Sequence, residues 1–474
     1  MARRSRGSHQ LEFAYARDSP ELNEQEQPMS TAVYTDLSLE ELFNMPPAAA
    51  RASAGDESGD AFVPQPPEDF KQAGITSAMA EALLLKFLLA HGNAKGRELC
   101  EELALPLKDC KEMLTTLKNQ QLVFYKDSAQ LDFTYALTED GRERAKKYMQ
   151  ECSYLGSAPV SLAEYIASVN KQTIAGEMPR RDDLQRAFSD LLISDELFSR
   201  LGPAINSGRG MFLYGPPGNG KTSIAERITR CFGTEVWIPR TVQVEGQIIM
   251  VFDPQVHEPV ELGRSIIKAK QHDRRWIKIK RPTIVVGGEL TMDALEIRYD
   301  PVSKISHAPL QMKSNCGSLV IDDFGRQRIN PFELLNRWIV PLEKRYDFLQ
   351  LITGTKIQVP FDQLIIFSTN LEPKDLVDDA FLRRIPYKIE VPDPTETEFR
   401  QLMQIVSEQS GVEPNAEALD HLIARYRAEE RPFRCCHPRD LLAQIKNQCD
   451  YEGGQATMTK ETFDFAMTNY FTIM

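Results

Sequence analysis

Nine consecutive residues, Gly215-Pro216-Pro217-Gly218-Asn219-Gly220-Lys221-Thr222-Ser223, have the composition and spacing to hold phosphate. Small residues let successive backbone N–H groups turn inward around phosphate oxygens. Lys221 is placed to reach the β- and γ-phosphates of ATP, and the Thr222 hydroxyl to ligate Mg2+. A second group is Asp322-Asp323. One of these carboxylates can hold Mg2+ through water, and its neighbour can orient or deprotonate an attacking water. Asn370 is a third candidate, placed to hold that water or the γ-phosphate.

These residues need elements that bring them together. The apolar strand 211–214 runs directly into the glycine-rich loop, and 224–231 reads as the helix after it. Phosphate would therefore sit at a helix N-terminus, where the dipole favours anions. The apolar strands 319–321 and 364–369 end in Asp322 and Asn370, and Arg383-Arg384 precede a further strand at 387–391. Polar residues at the C-terminal ends of parallel strands line the ligand crevice of open α/β sheets. The expected fold class is thus α/β, with a parallel sheet, helices on both faces and a helical region after Pro392-Asp393-Pro394.

Over residues 190–474 this arrangement resembles an AAA+ P-loop ATPase. The resemblance identifies Walker A with 215–222, Walker B with 319–323 and sensor 1 with Asn370. It implies an arginine finger at Arg383 or Arg384. It also implies a sensor 2 arginine at Arg439, within His437-Pro438-Arg439-Asp440-Leu441-Leu442. Asp323 stands where the family usually carries Glu, one methylene longer, which makes direct proton abstraction less secure. The stretch 232–316 is also long, with a hairpin pattern around Glu245-Gly246 and a strand-like 283–286. A ribbon at 347–361, turning at Thr353-Gly354-Thr355, resembles the presensor-1 hairpin of the group that contains bacterial enhancer-binding proteins, chelatases and MoxR-type chaperones. The chain further resembles bacterial AAA-family ATPases with predicted chaperone activity linked to Flp pilus assembly. That likeness rests on Asp322-Asp323-Phe324-Gly325-Arg326-Gln327-Arg328, Leu335-Asn336-Arg337-Trp338 and Val285-Val286-Gly287-Gly288-Glu289-Leu290. The family implies ATP hydrolysis in a homo-oligomeric ring, a hexamer, acting on a protein partner.

Upstream, residues 71–152 read as three helices (76–90, 97–103, 107–117), a two-stranded wing turning at 126–129 and a helix capped by Thr138. They resemble a winged-helix domain. DNA binding through helix 107–117 is the alternative function, a nucleotide-switched regulator; that helix carries Lys108, Lys111 and Lys118 beside Asp109 and Glu112, and no Arg. A third reading is an ATP-binding scaffold with weak hydrolysis. Residues 153–190 read as a linker helix, 191–391 as the ATPase core and 392–474 as a helical lid.

The 474 residues carry a net charge of −12, and 1–70 supply most of it, with 5 Lys/Arg against 13 Asp/Glu. This segment lacks helical or strand periodicity, apart from an amphipathic island at 37–43, and is expected to be disordered. Met29 is an alternative start. A chain this acidic is not a general nucleic-acid binder. No apolar run is long enough to span a membrane, and no secretory signal is visible. Eight scattered cysteines do not read as a disulfide framework, so a cytoplasmic protein is expected. Cys435-Cys436-His437 is set aside as a metal site, because adjacent residues do not readily share a tetrahedral ion.

Overall fold

The computed structural model describes residues 62–129, 132–261 and 272–471. The island at 37–43 and Met29 lie outside them. Helix α1 (Ser77–His91) opens the N-terminal unit, capped by the Thr76 hydroxyl and ended by Gly92 at φ 79°. Then follow β1 (Asn93–Lys95), α2 (Gly96–Glu102), α3 (Leu107–Asn119), β2 (Val123–Ala129), β3 (Asp132–Leu137) and α4 (Glu139–Glu151). The strands pair antiparallel in the order β1-β3-β2 over a core that includes Leu84, Leu88, Leu99, Leu114 and Leu117. The three helices, the two-stranded ribbon and the closing helix come in the order read from the sequence. Two details differ: β1 is an added strand that pairs with β3, and 126–129 does not turn but prolongs β2, past a register shift between Tyr125 and Asp127. Tyr125 stacks on Phe133 across the ribbon, with ring centroids 4.2 Å apart, so aromatic pairing offsets the polar sequence there.

Residues 153–190 form more than a linker helix. They hold β4 (Val160–Ser161), α5 (Leu162–Lys171) and α6 (Arg181–Ala187), ahead of α7 (Asp195–Asn206). Each helix has an apolar stripe that must be covered. Leu184 and Ala187 of α6 are buried with Leu201 and Ile205 of α7, in the core that also holds Met211, Leu213 and Val320. Tyr165 and Val169 of α5 enter a separate β-rich core.

Next come β5 (Met211–Tyr214) and α8 (Lys221–Ile228), the latter closed by a 3-10 turn at Thr229–Cys231. The long stretch after it folds as a β-rich layer. Its strands are β6 (Glu235–Pro239), β7 (Thr241–Val244), β8 (Gln247–Met250) and β9 (Trp276–Lys280), followed by β10 (Thr283–Val286), which belongs to the main sheet. β11 (Arg298–Asp300), β12 (Ile305–His307) and the short α9 (Leu310–Lys313) complete that stretch. The second sheet runs β11-β12-β8-β7-β4, while β6 pairs with β9 alone. The hairpin expected around Glu245-Gly246 is β7–β8, narrower than its sequence pattern because β6 turns away to β9.

The remaining core elements are β13 (Gly317–Ile321), α10 (Pro331–Lys344), the hairpin β14 (Tyr346–Gln350)–β15 (Lys356–Pro360), β16 (Gln363–Thr369), α11 (Pro373–Leu376), α12 (Asp379–Leu382) and β17 (Tyr387–Glu390). The main sheet is β10-β13-β16-β5-β17, parallel throughout. Strand alternation splits its side chains between two faces. Met211, Leu213, Ile366 and Ile389 pack on the α6–α8 side. Phe212, Ile365 and Phe367 pack on the α10 side, around the fully buried Trp338. The Trp338 indole N–H has no hydrogen-bond partner among the described residues, so packing alone holds it. Truncating it to Ala should cost about 3–5 kcal/mol.

A bundle of α13 (Glu396–Ser410), α14 (Ala416–Ala428), α15 (His437–Glu452) and α16 (Lys460–Phe471) closes the chain around Phe399, Tyr426, Leu441 and Phe463. The fold is therefore the α/β one expected, a parallel sheet with helices on both faces and, behind it, the helical region read from the sequence as a lid. The buried Arg275 ties the layers together, pairing with Asp273 and donating to Ala73 O at 2.6 Å. No described helix is long and apolar enough to cross a membrane.

Candidate nucleotide site

Because the main sheet is parallel, the C-terminal ends of β5, β13 and β16 open on one edge, with Ile321 level with Phe367 and Thr369 level with Tyr214. Each strand delivers one group of candidates. β5 leads into the loop, whose path demands glycine: Gly215 has φ +136°, and a Cβ there would lie 2.5 Å from Val391 O. Gly218 has φ +83°, and a Cβ there would meet Cys436 Sγ at 2.6 Å. The loop then turns through Gly220 into α8.

Lys221 is buried and uses all three ammonium donors: Gly215 O at 3.0 Å, Pro216 O at 2.8 Å and Asn370 Oδ1 at 2.7 Å. Burial lowers its pKa, while the charges of Asp322 and Asp323 oppose that shift. The Thr222 hydroxyl donates to the Asp322 carboxylate at 2.9 Å. These are hard oxygen donors of the kind Mg2+ takes, one or two from protein with the rest from phosphate and water. The pair fits that ion.

Asp323 follows with φ +49°, a strained conformation for a non-glycine residue. Its neighbours hold it there: Phe324 N donates to Ser368 O at 2.7 Å, and Thr369 Oγ1 donates to Phe324 O at 3.0 Å. Asn370 Nδ2 donates to Asp323 Oδ1 at 3.2 Å. The Asn370 amide therefore bridges Lys221 on one side and Asp323 on the other. Lys221, Asn370 and Asp323 thus form one hydrogen-bonded set and Thr222 and Asp322 a second, side by side at the same sheet edge.

The three arginines stand apart from it. Arg384 pairs with Glu343 of α10 at 2.6 Å, and Arg383 lies exposed at the end of α12. Arg439 is 75% exposed and pairs with its neighbour Asp440. The lid arginine against the loop is Arg434, which sequence reading passed over. It forms an ion pair with Asp393, and its Cβ lies 3.8 Å from the Cβ position of Gly218. No motif marks Arg434; the visible signal was the Pro392-Asp393-Pro394 break, read only as a boundary.

Cys435-Cys436 also lies on the loop. Cys436 N donates to Gly218 O at 2.9 Å, and Cys435 N to Asn219 Oδ1 at 3.3 Å. Burial pushes the Cys435 thiol up to about 11, and the Cys436 thiol is raised too. His437 turns away, its Nδ1 3.0 Å from the Tyr426 hydroxyl, and burial holds its pKa down to about 4. The described residues contain no cluster of three or more His, Cys, Asp or Glu able to hold a metal.

Residues 395–469, the lid, match a family described only as a domain of unknown function, DUF8689. A Caenorhabditis elegans protein named "Mitochondrial sorting homolog" is 22% identical over 286 residues, which is 58% of this chain and 68% of that protein. Among solved structures, NtrX from Brucella abortus is 16% identical, with 59% of this chain and 57% of that one covered and a TM-score of 0.38. The Thermotoga maritima RuvB Holliday junction branch migration motor is 15% identical, with 58% and 67% covered and a TM-score of 0.33. The chain thus spans little more than half the length of NtrX. These likenesses are distant, and the sheet order and the two hydrogen-bonded sets at its edge define the site.

Proposed function

We propose that this chain hydrolyses Mg-ATP and, as a homo-oligomeric ring, uses the hydrolysis to remodel or assemble a protein partner in the cytoplasm. The observation that carries the reading is the convergence of two hydrogen-bonded sets, Lys221–Asn370–Asp323 and Thr222–Asp322, at three adjacent strand ends. In this reading the backbone N–H groups of 215–223 and the α8 N-terminus cradle the phosphates. Lys221 exchanges its carbonyl partners for β- and γ-phosphate oxygens. Thr222 and Asp322 hold Mg2+, which neutralises phosphate charge when bound. Asn370 orients Asp323, and Asp323 takes the proton of the attacking water.

Assembly fits the exposed Arg383, free to reach a neighbour's nucleotide, with Arg384 beside it. It also fits the exposed Phe332, Val340, Phe348 and Ile352 on α10 and the β14–β15 hairpin. Eight free thiols among eight cysteines fit a reducing compartment. The test is Asp323→Asn: ATP binding should persist while phosphate release falls about a hundredfold or more. Equal release by both proteins would remove Asp323 from the chemistry.

One observation favours DNA as a second partner. Lys108, Lys111 and Lys118 are exposed on α3 beside Glu112, while the Asp109 carboxylate is turned to the Phe70 N–H. Duplex gel shifts at rising salt decide it, and no retardation at low salt excludes this reading.

A further inference from the structure

Asn219 is only 3% exposed although it sits at the tip of a loop. Both ends of its amide are occupied by segments distant in sequence. Nδ2 donates to Asp393 Oδ1 at 2.7 Å and to Pro392 O at 3.1 Å, just past β17. Oδ1 accepts the Cys435 N–H from the lid. Asp393 is in turn held by Arg434, and the next lid residue, Cys436, donates its N–H to Gly218 O.

We infer that Asn219, with Asp393 and Arg434, is a latch through which the lid fixes the shape of the phosphate loop. The Gly218–Asn219 peptide is a rigid plane whose C=O and N–H point in opposite directions. Anchoring Gly218 O outward to Cys436 therefore turns the Asn219 N–H away from the lid, toward the concave side of the loop. That N–H is one of the donors a phosphate cradle needs. Gly218 is left-handed, at φ +83°, a position with many alternative conformations, so an external anchor has something to select among. These groups form a continuous path from the segment just before α15 to the end of β17 by way of the loop tip. None of them touches Asp323, so the latch acts on how well nucleotide is held, and only weakly on the hydrolytic step. These are positioning residues.

This inference rests on the ATP-binding reading above. The experiment is a set of ATP titrations and steady-state phosphate-release curves on the full chain and six variants. Asn219→Ala, Asp393→Ala and Arg434→Ala should each raise the ATP Kd about tenfold, with kcat at saturation within about twofold. Asn219→Asp keeps the side-chain shape but sets a second carboxylate against Asp393; it should show the same shift without leaving a cavity. Asn219→Ala combined with Asp393→Ala should weaken binding no more than either alone, because one path is broken in all three. Arg434→Lys should recover part of the loss by keeping the charge pair. A merely structural role would lower the melting temperature and the active fraction and leave Kd unmoved. Unchanged Kd in all variants, or additive losses in the double variant, overturns the latch while ATP binding by the unsubstituted protein stands. No ATP binding by the unsubstituted protein overturns both readings.

Discussion

The two sides of the 215–223 loop are held together by different means. On the inner side, side-chain hydrogen bonds join Lys221, Asn370 and Asp323 in one set and Thr222 and Asp322 in another, the groups proposed to do the chemistry. On the outer side, Asn219, Asp393, Arg434 and the backbone of Cys435-Cys436 are joined by groups with no reactive role. In the proposed reading, reactivity is concentrated on one face and the conformation of the loop is set from the other. A loop rich in glycine cannot fix its own shape. It borrows rigidity from the lid, so motion of the lid and grip on phosphate are coupled.

The largest effect should come from the inner side. Lys221→Ala removes the only cation in the cluster and should abolish detectable ATP binding by calorimetry; normal affinity would dismiss the loop as a phosphate site. A smaller effect separates the two lid arginines. Arg434→Ala should act on Kd, whereas the exposed Arg439, proposed as the sensor 2 residue, should act on turnover when replaced by Ala. If the two variants exchanged behaviour, the division into inner and outer sides would fail. Arg383→Ala should lower turnover without changing Kd, and mixing it with an Asp323→Asn chain should restore part of the activity if one subunit completes the site of the next.

The smallest effect concerns acid. His437 titrates near 6.5 when unfolded but is held down to about 4 in the lid. The unfolded chain therefore binds more protons in that window, so stability is fully present above about 6.5 and is lost as pH falls toward 4. Melting curves between pH 7 and 5 should show this decline, and His437→Gln should flatten it.

The inner side was legible in the sequence because strand, loop and helix fix the spacing of its residues. Met211–Tyr214 must precede the glycines, and the polar groups after Ile321 and Thr369 fall at strand ends by the period of a strand. The outer side was not legible. Asn219 and Cys435 meet across 216 residues, and no local pattern announces a backbone N–H donated to a side chain. Arg439 stood out because it begins a helix, yet the chain places Arg434, three residues before that helix, against the loop. The stretch 153–190 read as a linker for a similar reason. Its short helices are covered by sheets formed elsewhere in the chain, and burial of Tyr165 or Leu184 is a tertiary fact.

The central claim is that the inner cluster hydrolyses Mg-ATP, and phosphate release by the full chain under saturating Mg-ATP tests it most directly. The account predicts steady release that requires Mg2+ and falls about a hundredfold or more in Asp323→Asn while bound ATP is retained. Release at the same rate in both proteins, or none from the unsubstituted chain with ATP bound, would contradict it.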